Sequence, residues 1–168
     1  MNEGLLLVRL VFGLVMAAHG AQKLFGWFGG YGLTGTGGFF ESLGFRPGKV
    51  FAFAAGLSEF AGGLLVALGL FGPIGPALVL SVMIVATVTV HWKNGVFAQN
   101  NGFEVPLLYA AAAVALAFTG FGAFSLDALL GISAPPLIVS IALVAGIAGA
   151  IGTLSLRNLS AEAQSSAQ

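Results

Sequence analysis

The sequence predicts an all-α integral membrane protein, and three observations carry that prediction. Hydrophobic residues make up 58% of the 168 residues and charged residues 7%, whereas a soluble domain carries about a quarter charged residues. Mean hydropathy is +1.01. The apolar residues fall into five runs, each near the ~20 residues that cross ~30 Å of hydrocarbon. None alternates apolar with polar residues as the strands of a membrane barrel do. Net charge is zero, so no basic surface points to nucleic acid. The absence of cysteine excludes thiolate metal sites and a dithiol relay within the chain.

The first run, residues 4–24, carries Arg9, His19 and Lys23, charges that are costly in hydrocarbon and mark a functional site by default. At ~3.6 residues per turn, Arg9, Phe12, Gly13, Met16, His19, Gly20 and Lys23 share one stripe, which should face protein. No basic n-region precedes this run, so it is expected to be a retained helix. The second run, 50–71, holds Glu59 at its middle, and the third, 73–92, starts at Pro73. A fourth covers 105–124 and a fifth 135–156, the latter opening at Pro135; proline suits a first helical turn, where its missing N–H would be unpaired anyway. The expected organisation is a four-helix membrane domain over 1–130, an additional transmembrane helix over 131–157 and an exposed flexible tail over 158–168.

Odd helices run one way and even helices return, so the two long connections, 25–48 and 94–103, should lie on one side. The first of these mixes Phe25, Trp27, Phe28, Tyr31, Phe39 and Phe40 with many glycines. Such rings belong at the headgroup level or in protein, which predicts an aromatic interfacial lid containing a short amphipathic helix near 37–43. Lys23, Arg46, Lys49, Lys93 and Arg157 all fall on the long-loop side, which predicts that face to be cytoplasmic.

Spaced motifs then carry a family resemblance. His19-Gly20-Ala21-Gln22-Lys23-Leu24-Phe25-Gly26, followed by Phe28-Gly29-Gly30-Tyr31-Gly32-Leu33-Thr34-Gly35-Thr36, resembles the opening of the DoxX family of small bacterial membrane proteins. Gly56-Leu57-Ser58-Glu59-Phe60-Ala61-Gly62-Gly63, His91-Trp92-Lys93-Asn94-Gly95-Val96-Phe97 and Phe124-Ser125-Leu126-Asp127 are similar to its later segments. The resemblance covers roughly residues 5–130 and implies a four-helix core, to which this chain adds a fifth helix. It also implies a multi-pass protein of the bacterial cytoplasmic membrane, akin to subunits linked to quinone-coupled sulfur oxidation and to oxidative-stress defence. It supplies no catalytic residue, and fold-level analogy is weak evidence of function.

The residues themselves suggest two polar clusters. Glu59 lies on a stripe with Ala52, Ala55, Gly56, Gly62 and Gly63, and small residues allow close helix approach. Arg9 is its expected partner, at roughly five residues, or about 7.5 Å, of depth. The pair reads either as a structural ion pair or as a proton-carrying carboxylate with its counter-charge. His19 and His91 approach the long-loop face together with Lys23, Asn94 and Glu104. Imidazoles can hydrogen-bond and exchange protons with a quinone headgroup, so a quinone between the two histidines, beneath the aromatic lid, is the expected ligand. The plainer readings are an interfacial anchor for His91-Trp92-Lys93 and a packed helix residue for His19.

A bis-histidine haem has only one pair to use and would sit near the interface. No metal site is expected, since no two-ligand helical spacing such as His-x-x-x-His occurs. The glycine run 26–38 lacks the Gly-Lys-Ser/Thr ending of a phosphate loop. Two function classes therefore stand: a quinone-interacting or redox-associated subunit of a membrane complex, and a noncatalytic scaffold that anchors partner proteins. Other membrane subunits or further copies of the chain are the expected partners, and no covalently bound cofactor is expected.

Overall fold

A computed structural model describes residues 2–165, with side chains described as far as Arg157. The expected tail over 158–168 lies outside the described side chains. Among the described residues the fold is helical, in the order α1 (Asn2–Phe25), α2 (Gly32–Ser42), α3 (Gly48–Leu68), α4 (Ile74–Ala86), α5 (Glu104–Thr119), α6 (Leu126–Leu130) and α7 (Pro136–Ser165). Four helices are long and apolar enough to cross a membrane: α1, α3, α4 with its continuation to Asn94, and α7 over Pro136–Arg157. The expected fourth span is shorter than the sequence suggests. Gly120 (φ 71°) and Gly122 (φ 77°) take left-handed conformations and end α5 after 16 residues, about 24 Å at ~1.5 Å per residue.

Residues 120–125 follow α5 as an irregular segment. Its far end is tied to the start of α1 by Ala123 N–H donating to Asn2 Oδ1 at 3.0 Å. The short amphipathic helix is also longer than expected, starting at Gly32 rather than near residue 37.

α1 and α3 form the most extensive helix pair, and glycine is the reason. A methyl at Gly13 would overlap Gly63 O and Ala67 N, and one at Gly20 would overlap Phe60 N and Gly56 O. The backbones therefore approach as closely as small residues permit. α4 is central, packing against α3, α5 and α7. One apolar cluster joins Phe12, Met16, Val66, Val79, Met83 and Leu116 of α1, α3, α4 and α5 with Phe121 in the segment after α5; a second joins Leu80, Ala117, Val139 and Leu143.

The bundle has two different ends. At one, Asp127 accepts from Phe71 N–H (2.8 Å) and Gly72 N–H (2.7 Å), locking the α3–α4 turn to the start of α6. Gly69 caps α3 there at φ 66°. At the other, α1 delivers Lys23, α2 lies across the helix ends, and α7 arrives with Arg157, whose Nε donates to Leu43 O at 2.6 Å and whose guanidinium lies over the Phe45 ring. This second, loop end carries the site; the first, held by Asp127, is the closed end.

Candidate functional site

α3 and α4 pack tightly near the closed end, where Gly62 meets Gly75 O and Leu78. Toward the loop end their facing residues are Ala54, Ala55 and Ser58 on α3 and Ser81, Val82 and Val85 on α4, and the space those short side chains leave is a cavity of about 450 Å³. Phe39 and Phe40 of α2 and Leu43 just after it cover it, and Thr153 and Leu156 of α7 form its flank. Its volume and apolar lining are those of a small-molecule site. Lys23, Glu59 and His91 are the ionisable groups on its wall.

Glu59 is buried, and its Oε2 accepts from Lys23 Nζ at 2.5 Å. The expected Arg9–Glu59 pair does not form. Gly20 lies against Gly56 and Phe60, so the antiparallel register sets Glu59 beside Lys23. Arg9 lies fourteen residues earlier on α1, or about 21 Å at ~1.5 Å per residue. It is buried beside Gly69 at the closed end, with Nη2 donating to Phe124 O. Placing both charges near their helix centres ignored the sliding that the glycine contacts impose.

His91 reaches the cavity wall through a local irregularity. Thr87–His91 forms a π-helical turn at the end of α4, following from four consecutive β-branched residues, Thr87-Val88-Thr89-Val90, which crowd an α-helical turn. Thr89 Oγ1 donates to Val85 O at 2.8 Å within this turn. Such turns recur at functional sites because they re-aim a side chain. His91 Nδ1 lies 2.8 Å from Asn101 O. A carbonyl only accepts, so Nδ1 carries a proton and Nε2 is the acceptor in the neutral ring.

The two histidines do not bracket one space. His19 sets its ring edge-on to Tyr109 of α5, with Nδ1 3.2 Å from Gln22 Oε1; it is absent from the cavity wall. Asn94 and Glu104 also leave the expected site, because both fold the connection between α4 and α5. Asn94 Nδ2 donates to Val90 O and to Asn101 O, and Glu104 Oε2 accepts from Ala98 N–H at 2.8 Å. Asn94 thus acts on His91 only through the carbonyl they share.

The aromatic lid divides. Phe39 and Phe40 cover the cavity, whereas Phe25 packs on Trp27 and Phe60, and Phe28 stands outside against Trp27. Tyr31 lines a second, loop-side cavity of about 530 Å³ together with Gln22, Lys23, Thr36 and Phe39. Sequence reasoning missed Ser58, Ser81, Thr89 and Thr153 on the membrane cavity. For Thr89 a signal existed, the β-branched run before His91; a lone serine or threonine in an apolar helix carries none.

The comparisons bear on this same region. Residues 4–92 match the model of the DoxX family, a span that runs from α1 through the π-helical turn. The chain is 34% identical over 124 residues to "Putative oxidoreductase CatD" of Bacillus subtilis (strain 168), covering 74% of this chain and 84% of that protein. No solved structure matches the chain.

Proposed function

This chain belongs to the DoxX family of membrane proteins, and from that premise we propose that it is a redox-associated subunit whose membrane cavity receives a quinone ring. The observation that carries the reading is the cavity of about 450 Å³ at the loop end, mostly apolar, with the hydroxyl residues Ser58, Ser81, Thr89 and Thr153 and the ionisable groups Lys23, Glu59 and His91 on its wall. An apolar wall with a few convergent polar groups suits a ring with oxygens at its edge and a hydrocarbon tail. α3 and α7 both pack on α4 rather than extensively on one another, so the tail can leave toward lipid between them. The name of the Bacillus relative supports redox work as a class; electrons would come from a partner that holds the electron-transferring cofactor.

The hydrogen bonding assigns different tasks to the polar groups. With Nδ1–H directed at Asn101 O, neutral His91 offers Nε2 as an acceptor, which suits the hydroxyl of a reduced quinol. The imidazolium donates from both nitrogens and suits a quinone carbonyl. The Lys23 ammonium is a donor only and can approach the oxygen of either form.

Binding of a short-tailed quinone and of its quinol to the protein in lipid nanodiscs tests this. His91→Leu is expected to weaken quinol binding about tenfold, roughly the 1.4 kcal/mol of one hydrogen bond, whereas His19→Gln leaves it unchanged. Absence of binding to the wild type, alone or with its native partners, overturns the reading and favours the scaffold role.

A further inference from the structure

Lys23 and Phe39 line both cavities: the membrane cavity that holds Glu59 and His91, and the loop-side cavity bounded by Gln22, Tyr31 and Thr36. Glu59 faces only the membrane cavity. The 2.5 Å contact between Lys23 Nζ and Glu59 Oε2 therefore joins a residue shared by both cavities to a carboxylate that faces one of them. The two partners differ in exposure, 26% for the Lys23 side chain and 4% for that of Glu59, so the link has a wet end and a dry end. We propose that the Lys23–Glu59 pair is a proton-transfer junction that connects the loop-side cavity to the membrane cavity.

The transfer balances without electrons. A Lys23 Nζ–H bond breaks as a Glu59 Oε2–H bond forms, leaving amine and carboxylic acid. The amine retakes a proton from a hydronium ion in the loop-side cavity. The carboxylic acid then gives its proton to an acceptor oxygen of the molecule in the membrane cavity and returns to carboxylate. Both charges are restored, and one proton has passed from one cavity to the other. The low dielectric around Glu59 brings the charged and neutral forms of such a pair closer in energy than they are in water. Titratable groups facing the pair are His19 one turn earlier on α1, Tyr31 at the loop-side cavity and His91 across the membrane cavity. This inference rests on the membrane cavity as the ligand site but not on the identity of its occupant.

The test uses the full chain in lipid nanodiscs and follows the Glu59 carboxyl band by infrared spectroscopy during H₂O-to-D₂O exchange, with Glu59→Gln assigning the band. Because the chain has no cysteine, Tyr31→Cys places a single thiol on the wall of the loop-side cavity, where a bulky water-soluble maleimide can plug it. Val96→Cys, on the exposed connection after α4, is the control. Exchange is expected to slow at least tenfold when the Tyr31→Cys thiol is labelled, to stay unchanged when the Val96→Cys thiol is labelled, and to slow in unlabelled Lys23→Met. Unchanged exchange in both the plugged protein and Lys23→Met overturns the junction, because Glu59 then meets water elsewhere; so does a Glu59 that never shows a protonated band. Failure of quinone binding with these exchange results intact refutes the occupant and leaves the junction standing.

Discussion

Two buried charges, Arg9 and Glu59, are compensated by different means. Glu59 holds an ammonium group, whereas Arg9 donates to a backbone carbonyl and keeps Nε and Nη1 without hydrogen-bond partners among the described residues. Breaking a buried pair costs more than removing it, because the survivor keeps its desolvation penalty. The two single losses should also differ here. Lys23→Met strands Glu59, which has almost no access to solvent, and is expected to cost about 3 kcal/mol, the low end of the usual range because one partner is partly exposed. Glu59→Gln strands Lys23, whose long stem can carry its charge to the interface, and should cost less. The double variant should lose less than the two single losses added together, as measured by unfolding in detergent at constant pH; strict additivity would mean the pair contributes nothing. The sequence singled out each of these charges, and the pairing itself escaped it. Which of two cations on one stripe meets Glu59 depends on axial register, which periodicity leaves free.

Register belongs to the helices as elements. It is set where Gly13 and Gly20 of α1 press on Gly63 and Gly56 of α3, contacts the small-residue stripes foretold in kind but not in alignment. Alanine favours a helix over glycine by about 1 kcal/mol, so a glycine-to-alanine change in open space should be neutral or stabilising. Gly38→Ala is such a case, since nothing lies near the added methyl. Gly20→Ala drives a methyl into the backbone of α3 at Phe60 and Gly56, and is expected to destabilise by about 1–3 kcal/mol and to loosen the Lys23–Glu59 contact one turn beyond it. Thermal unfolding of the two variants in one detergent checks this, and a Gly20→Ala protein as stable as Gly38→Ala would mean that α1 and α3 are not held by this contact. Some element boundaries were legible to within a few residues, as at Gly69 and Pro73. The early end of α5 and the π-helical turn were not, because hydropathy counts residues without sensing positive φ at Gly120 or the crowding of Thr87-Val88-Thr89-Val90.

At the scale of the whole molecule, the fold gathers its partly or fully exposed basic residues at one end. Lys23, Arg46, Lys49, Lys93 and Arg157 belong to the loop end, and the contact of Arg157 with Leu43 O fixes α7 there. Arg9, the remaining cation, is buried within the bundle, so it says nothing about the flanks, while Glu3 and Asp127 lie toward the closed end. If α5 crosses along with the four long helices, this asymmetry puts the loop end, and with it both cavities, on the cytoplasmic side, because basic flanks stay where the protein is inserted from. The gathering of basic residues in the long connections was legible without coordinates, because they fall between the apolar runs. The cavity was not, since it arises from side chains too short to fill the space between α3 and α4. The orientation is checked in intact bacterial cells with single cysteines in the cysteine-free chain: Val96→Cys at the loop end and Ser133→Cys at the closed end, both at exposed positions. An impermeant maleimide added outside, after passage across any outer membrane, is expected to label the Ser133→Cys protein and spare the Val96→Cys protein until the membrane is opened. The reverse pattern would invert the molecule and put the loop-side cavity in contact with the outside. Labelling of both from outside would break the five-crossing topology, because two successive connections flanking α5 cannot share a face if α5 crosses.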